Sequence, residues 1–192
     1  MTQELQDMTV AILVNNEGAE EAEFTAPRQA LLDAGATVDT VAPQAGTMQA
    51  FQHLDKGGVY PVDVAVDGAD PSRYQALVLP GGVANPDQLR TNPAAVAFVR
   101  SFFDAGKPVA VICHGPWTMV EADVVQGRTL TSWPSLQTDI RNAGGTWVDR
   151  EVQVCTNGPN VVVSSRKPAD LPAFCAAMVE QFADQHQTAG TR

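Results

Sequence analysis

Three near-continuous apolar segments constrain the fold of this chain more than any other feature. They are MTVAILV at residues 8–14, YQALVLPGG at 74–82 and KPVAVICHGPW at 107–117. Such runs are typical of strands covered on both faces, as in a parallel sheet. Segments with helical spacing follow them, for example EAEFTAPRQALLDAG at 21–35. The alternation predicts a doubly wound α/β sandwich, with a mostly parallel central sheet between two layers of helices.

The remaining segments extend this pattern. ATVDTVAPQ at 36–44 alternates like a second strand, and EVQVCTNGPNVVVSS at 151–165 predicts a hairpin. Residues 44–70 carry scattered glycines and predict a hairpin or edge strand outside the main sheet. NPDQLRTNPAAVAFVRSFFDAG at 85–106 predicts one helix, and PADLPAFCAAMVEQFADQ at 168–185 predicts the closing helix.

Composition limits the size and the partners of the protein. With 192 residues, 44% of them hydrophobic, we expect a single domain over residues 1–192, with loose termini at 1–7 and 186–192. The net charge of −10 and the lack of a Lys/Arg run argue against stable nucleic-acid docking. The N-terminal segment MTQELQDMTVAILV is acidic, and its apolar run is too short for a membrane span. A cytoplasmic protein without membrane association is predicted.

Cys113 lies where an apolar strand ends and a helix is expected to begin. Ligands of open parallel sheets bind beyond the carboxyl ends of the strands, and a nucleophile on such a turn is exposed there. The helix N-terminus should favour the thiolate. We therefore expect a reactive thiol, the alternative being an inert buried cysteine. Cys155 and Cys175 are expected to be structural and free, since an odd number of cysteines in a chain without a secretory signal argues against a disulfide framework.

The chain has three histidines that could serve the thiol as a base. His186 follows the last predicted helix, and His53 lies in the irregular segment 44–70, where a surface or interface role is expected. His114 is therefore the candidate base. Because consecutive side chains diverge at a tight turn, its ring needs an orienting partner, usually a carboxylate.

Two glycines, Gly81 and Gly82, end the strand that should lie beside the Cys113 turn. The Gly82 N–H, together with the N–H of His114, is a candidate oxyanion hole for a tetrahedral intermediate. The alternative is an ordinary glycine turn. No His/Cys/carboxylate cluster has metal-ligand spacing, and phosphate-binding glycine motifs are missing, so neither a metal nor another cofactor is expected.

Five segments in a fixed order resemble the ThiJ/PfpI superfamily, in particular its PfpI-like (intracellular protease I-like) branch. They are LPGG, NPDQLR, KPVAVICHGPW, TSWPSLQTDIRNAG and SSRKPADLPAF. An N-terminal E-x-x-E turn within GAEEAEFTAPRQALLDAG completes the resemblance, which covers nearly the entire chain. It implies a flavodoxin-like three-layer α/β/α sandwich, similar to class I glutamine amidotransferases.

The resemblance also implies roles for individual residues. Cys113 would be the nucleophile, and Glu20, after the first strand, would hydrogen-bond its sulfur. A partly buried carboxyl group beside a thiolate should have a raised pKa and can shuttle protons. The alternative for Glu20 is a helix-capping acid like the other acids at that helix start.

A third acid in the family approaches the histidine from a neighbouring subunit, and Asp87 in NPDQLR matches its position. The sequence departs from the pattern here, because Asp replaces the Glu of some members and Asn85 looks inserted ahead of the proline. Trp133 matches an aromatic pocket position that is tyrosine in some members. Trp117 and Gly81 are further candidate substrate-binding residues, although packing is the alternative for Trp117. A homo-oligomer, a dimer or a hexamer, is implied, with active sites near the interface.

Three functions remain open. The first is a cofactor-independent, cysteine-dependent stress-response hydrolase resembling deglycases and glyoxalases, which act on methylglyoxal or glyoxal and on their protein or nucleotide adducts. The second is an intracellular cysteine peptidase, which the same Cys-His-acid set could support. The third is a redox-sensing or protective protein, in which Cys113 is oxidised and no reaction is catalysed.

Overall fold

The structure of the protein is a computed structural model that describes residues 4–189. The strands within these residues are β1 (Thr9–Leu13), β2 (Glu17–Glu20), β3 (Thr37–Ala42), β4 (Gly46–Gln52), β5 (Asp55–Val62), β6 (Val64–Ala65), β7 (Ala76–Leu79), β8 (Val109–Ile112), β9 (Thr129–Leu130), β10 (Thr146–Trp147), β11 (Val152–Cys155) and β12 (Val162–Ser165). The α-helices are α1 (Glu21–Asp33), α2 (Ala84–Leu89), α3 (Pro93–Asp104), α4 (Pro116–Glu121), α5 (Gln137–Asn142) and α6 (Leu171–Ala189).

Seven strands form the central sheet, in the order β11-β12-β8-β7-β1-β3-β6. All neighbours pair in parallel except β11, which forms the predicted antiparallel hairpin with β12. The mostly parallel α/β sheet expected from the sequence is thus confirmed. In register, Val78 of β7 lies between Ile12 of β1 and Ala110 of β8. The segments that follow these three strands therefore emerge at the same edge of the sheet.

Alternate residues of β1 pack on opposite faces of the sheet. Val10 and Ile12 belong to an apolar cluster that includes residues of α1 and α6. Ala11 and Leu13 belong to a second cluster, built with residues of α3, α4 and α5. Burial on both faces explains why the strand segments are continuously apolar, and it confirms the three-layer arrangement.

The prediction of one helix over residues 85–106 is wrong, because the segment forms α2 and α3 with a break between them. Asn92 caps α3 by accepting hydrogen bonds from the N–H groups of Ala94 and Ala95, at 3.0 and 3.1 Å. Pro93 occupies the first helical position, where its missing N–H is tolerated. Helical backbone is disfavoured for a residue that precedes a proline. Asn92 is therefore extended, and a new helix starts at Pro93.

Within residues 44–70, residues 46–62 form the predicted hairpin outside the main sheet, whereas β6 pairs with β3 at the edge of the main sheet. Strands β4 and β5 pair antiparallel, and β2 joins β4 in parallel, giving a separate three-stranded sheet. The sequence did not indicate β2, whose residues EGAE read as a polar turn. The turn between β4 and β5 contains His53, which adopts a left-handed backbone with φ of 59°.

Of the termini predicted to be loose, the structure describes residues 4–7 and 186–189. Leu5 is fully buried, and its N–H donates to the Ala34 carbonyl at 3.0 Å. Helix α6 continues to Ala189, beyond the predicted end at residue 185. Residues 1–3 and 190–192 lie outside the described range. No helix between residues 4 and 189 is long and apolar enough to cross a membrane.

Candidate active site

Cys113 occupies a strained turn between β8 and α4. Its φ of 63° lies in the left-handed region, which residues other than glycine rarely adopt. Both sides of its backbone are fixed, because its N–H donates to Ser165 O at 3.1 Å and its carbonyl accepts from Trp133 N at 3.0 Å. Such strain persists only where the surroundings impose it, and it is common at functional sites. The elbow expected from the sequence is therefore present.

A cavity of about 180 Å³ opens beside this turn. Its lining includes polar and apolar groups: Cys113, His114, Glu20, Glu23, His53, Leu54, Gly82, Val83, Trp133 and Pro168. A larger groove of about 700 Å³ runs past Asp87 and Arg90 but holds no cysteine or histidine. We place the candidate site in the smaller cavity, because this cavity contains Cys113, the candidate nucleophile.

The carboxyl group beside the Cys113 thiol belongs to Glu23, not to the expected Glu20, since Glu23 Oε2 and Cys113 Cβ both lie next to Gly81 and both residues line the cavity. Glu23 lies in the first turn of α1, faces the sheet and is fully buried, whereas Glu20 ends β2 and is partly exposed. The Glu23 Oε2 accepts from the Gly81 N–H at 2.9 Å. Its Oε1 is buried without a hydrogen-bond partner of regular geometry among residues 4–189.

Burial raises the pKa of Glu23 to about 8, although hydrogen bonds from Cys113 and Gly81 act in the opposite direction. The negative charge of nearby Glu20 raises this pKa further. Glu23 is therefore protonated in neutral solution and can donate a hydrogen bond or a proton inside the cavity.

Glu20 lines the same cavity but binds the hairpin. Its Oε2 accepts from the N–H of His53 at 3.0 Å. This bond brings the β4–β5 turn over the site and places His53 in the lining, whereas the sequence indicated only a surface or interface position. Glu20 thus contributes to the shape of the cavity rather than to direct contact with the sulfur.

The backbone of the Gly81–Gly82 turn lies next to Cys113. Gly82 and His114 line the cavity together with Cys113, and their N–H groups, which the sequence predicted as an oxyanion hole, act to lower the pKa of its thiol. A Cβ on Gly81 would lie 2.5 Å from both Cys113 Cβ and Glu23 Oε2. Gly82 has a φ of 83°, and a Cβ there would meet the Gly18 carbonyl. Only glycines fit at these two positions. Gly81 does not line the cavity.

His114 is in contact with the thiol. Its Nδ1 lies 3.1 Å from Cys113 Sγ. The ring stacks on Trp133, with centroids 5.8 Å apart, and meets the edge of Trp117 at 5.1 Å. Aromatic packing therefore orients this ring within the chain, in place of the expected carboxylate. Burial lowers the pKa of His114 to about 4, so the imidazole is neutral at pH 7 and can accept a proton.

The thiol itself does not have the lowered pKa expected from a helix N-terminus. Burial and the charge of Glu23 raise the pKa of Cys113, against the hydrogen bonds from Gly82 and His114 N–H groups. The helix that follows, α4, has six residues and begins three positions later, so its dipole contributes little. When Glu23 holds its proton, its charge is absent and it can donate to the sulfur instead. Formation of the Cys113 thiolate is therefore more favourable when Glu23 is protonated than when it is charged.

Two predicted residues lie away from the cavity. The Trp117 Nε1 donates to Asp139 at 3.0 Å, and its ring lies under Arg90, so it supports His114 without lining the cavity. Asp87 faces the larger groove and makes no hydrogen bond to His114 within residues 4–189. The expectation that Trp117 binds substrate is thus not supported by its position.

The other two cysteines are remote from this cavity. Cys155 is buried at the end of β11, and burial raises the pKa of Cys175 in α6 to about 11. Within residues 4–189, no group of three or more His, Cys, Asp or Glu side chains could hold a metal ion.

The sequence was compared with known families and proteins. Residues 8–181 match the DJ-1/PfpI family. The chain belongs to this family. It is 39% identical over 165 residues to "Protein/nucleic acid deglycase 2" of Escherichia coli, covering 86% of the chain and 92% of that protein. It is 42% identical over 173 residues to "Deglycase PH1704" of Pyrococcus horikoshii, covering 90% of the chain and 98% of that protein.

A solved structure confirms the DJ-1/PfpI fold. The ThiJ/PfpI domain protein from Brachyspira murdochii superposes with a TM-score of 0.82 at 19% identity, covering 93% of this chain and 98% of that one. At this level of identity the comparison supports the architecture alone. The family membership rests on the sequence match.

Sequence reasoning did not assign two ionisable residues to the cavity, Glu23 and His53. For Glu23 a signal existed, since in an E-x-x-E turn the second acid lies three residues into the helix, on the face turned toward the sheet. For His53 the sequence held no comparable signal, because its place depends on how the β4–β5 hairpin folds back onto Glu20.

Proposed function

We propose that this DJ-1/PfpI protein is a cysteine-dependent stress-response hydrolase that acts on glyoxal, methylglyoxal and the adducts that they form with proteins or nucleotides. The observation that carries the proposal is Cys113 held on a strained turn, in a cavity that also contains the buried carboxyl group of Glu23 and the ring of His114, whose Nδ1 lies 3.1 Å from the sulfur. Two relatives that align with most of the chain are named deglycases.

In the proposed reaction, the Cys113 sulfur adds to the aldehyde carbon. The thiol proton passes to His114 Nδ1, which lies 3.1 Å from the sulfur and is neutral at pH 7. The carbonyl oxygen becomes an oxyanion, which the N–H groups of Gly82 and His114 stabilise. Protonation of this oxygen gives a hemithioacetal.

For methylglyoxal, neutral His114 then takes the proton from the hemithioacetal carbon while protonated Glu23 donates to the adjacent carbonyl oxygen, which gives an enediol. His114 returns its proton to the adjacent carbon, and Glu23 recovers a proton from the hydroxyl of the hemithioacetal carbon, which leaves a thioester of a 2-hydroxy acid. Water cleaves the thioester and regenerates the thiol, so the net change is the addition of one water, and no oxidant is required. For an adduct, the corresponding hydrolysis releases the amine.

The direct test is consumption of methylglyoxal by purified protein in buffer without added metal or glutathione. We expect a 2-hydroxy acid as product and loss of the activity in Cys113→Ala. The matched control is Cys175→Ala, which removes a thiol of α6 outside the cavity and should leave the rate unchanged. Equal activity of wild type and Cys113→Ala would refute the proposal.

Cysteine oxidation is a second candidate function, favoured by Glu23 Oε1, which is buried without a hydrogen-bond partner among residues 4–189. Peroxide would transfer one oxygen to the Cys113 thiolate and leave as water, and the protonated carboxyl could donate to the added oxygen. Peptide mapping after mild peroxide treatment should find oxidation at Cys113 ahead of Cys155 and Cys175. Uniform oxidation of the three would remove this candidate.

Peptide hydrolysis fits the site less well. A cavity of about 180 Å³ lies below the ordinary range of about 300–1,000 Å³ for sites that enclose drug-sized ligands. An extended peptide would require a longer groove leading to Cys113. The volume suits a small aldehyde or the end of an adduct.

The role of Asp87 belongs to the same proposal. Because it faces away from His114 within the chain, it would act only from a neighbouring subunit of a dimer or hexamer. Asp87→Asn should then lower activity without changing the oligomer, as measured by kinetics beside light scattering. A fully active monomer would exclude this role. The cytosolic location stays a prediction from the sequence.

A further inference from the structure

We propose that Asn85 is a positioning residue that orients the Gly82 N–H toward Cys113. No role in the chemistry follows for Asn85 from the sequence, where it appears only as an extra residue before Pro86. In the structure its side chain is fully buried in the first turn of α2, next to the Gly81–Gly82 turn.

The amide of Asn85 connects two elements at the edge of the sheet. Its Oδ1 accepts from the N–H of Asn15, after β1, at 2.6 Å. Its Nδ2 donates to the carbonyls of Pro80 and Gly81, after β7, at 3.0 and 3.1 Å. Because the Asn85 amide faces an N–H group on one side and two carbonyl oxygens on the other, all three bonds form only when its oxygen points to the N–H and its nitrogen to the carbonyls.

These bonds fix two consecutive peptide planes. The Pro80 carbonyl is held by Asn85, while the N–H of the same peptide, on Gly81, donates to Glu23. The Gly81 carbonyl accepts from Asn85 Nδ2 and, at 3.3 Å, from the N–H of Glu20. A trans peptide directs its C=O and N–H in opposite directions. Anchoring the Gly81 oxygen therefore directs the Gly82 N–H to the opposite side, and Gly82 lines the same cavity as Cys113.

Without this anchor the turn has more freedom. Gly82 has no side chain and a φ of 83°, so its own covalent structure does not hold the peptide in one orientation. The Glu20 N–H would be the remaining donor to the Gly81 oxygen. A rotated peptide would remove one donor from the thiolate and from the proposed oxyanion.

The test uses Asn85→Ala and Asn85→Asp. The aspartate keeps an acceptor for Asn15 and removes the Nδ2 donor, so it decides the question if the alanine variant does not fold. The matched control is Asn160→Ala. Asn160 is also buried and donates to a backbone carbonyl, that of Lys107, but at the opposite end of β8 from Cys113.

The first readout is the pH dependence of Cys113 alkylation by iodoacetamide, followed on the Cys113 peptide by mass spectrometry. Loss of a donor disfavours the thiolate, so at neutral pH we expect alkylation to slow by about threefold to tenfold in the Asn85 variants. Asn160→Ala should retain the wild-type profile. This readout does not depend on the substrate.

The second readout is turnover of methylglyoxal, and it rests on the proposed function. We expect kcat to fall by about 10- to 100-fold with little change in KM, because the oxyanion exists only after attack. If wild type does not convert methylglyoxal, the proposed function fails and alkylation alone decides the role of Asn85. Unchanged alkylation in both Asn85 variants, or equal slowing in Asn160→Ala, would overturn the inference.

Discussion

Replacing Glu23 by glutamine should change how the stability of the protein depends on pH. The pKa of Glu23 is raised from 4.5 to about 8, mainly by burial. Between these pH values the native state holds a proton that the unfolded chain releases. The stability associated with this group is therefore fully present below pH 4.5 and is lost as pH rises toward 8.

The size of the effect follows from the two pKa values. Each pH unit in this interval lowers the free energy of unfolding by about 1.4 kcal/mol, which amounts to about 5 kcal/mol over the whole interval. Glu23→Gln removes this slope, and any change in hydrogen bonding adds an offset that does not depend on pH. Its stability relative to wild type should thus increase steadily with pH.

Urea unfolding of both proteins at about pH 5 and about pH 8 measures this difference. The opposite contribution of His114, whose pKa is lowered to about 4, is largely common to both proteins and cancels. Glu20→Gln is the matched control: Glu20 is partly exposed, and its charge raises the pKa of Glu23 less than burial does, so this variant should keep most of the pH dependence. A stability difference between wild type and Glu23→Gln that stays constant with pH would refute the buried, protonated carboxyl group.

Two further predictions concern the turn and the base. Gly82→Ala should abolish activity and destabilise the protein by more than about 1 kcal/mol, because a Cβ would meet the Gly18 carbonyl. The control is Gly46→Ala, which is also at positive φ but has open space around the Cβ, and it should keep its activity. The acid limb of the kcat/KM profile should lie near pH 4, where His114 becomes protonated, and a limb near the ordinary histidine value of 6.5 would contradict the buried, neutral imidazole.

The strands and the position of Cys113 at the turn could be predicted from the sequence because their signals are local. Apolar runs such as residues 8–14 and 107–117 indicate strands covered on both faces, and they end where the chain must turn. Cys113 and the glycine pair follow two such runs, so a shared edge of the sheet brings them together. Gly82 and His114 line one cavity with Cys113, and the oxyanion hole that they would form stays a prediction.

The carboxyl partner could not be assigned in the same way. Glu20 and Glu23 lie three residues apart in one acidic stretch, and which of them faces the sulfur depends on where β2 ends and α1 begins. Strand β2 forms only by pairing with β4, about 30 residues further along the chain. The boundary that separates the two acids is therefore set by a tertiary contact.

Burial, rather than position along the sequence, sets the pKa values of Cys113 and His114. The position of Cys113 before a helix predicts a lowered thiol pKa, but desolvation and Glu23 outweigh a helix of six residues. Likewise, His114 is oriented by Trp133 and Trp117, whose packing depends on segments distant in sequence from the elbow. Local motifs identify which groups meet, while the enclosed environment sets their protonation.

The central claim is that Cys113 works with Glu23 as its acid partner. It is tested most directly by kcat/KM for methylglyoxal in Glu23→Gln and Glu20→Gln, measured beside wild type and Cys113→Ala. The account predicts a loss of about 100-fold or more in Glu23→Gln, on the scale of removing a general acid–base group, with Glu20→Gln within about threefold of wild type. A large loss in Glu20→Gln with an active Glu23→Gln would contradict it.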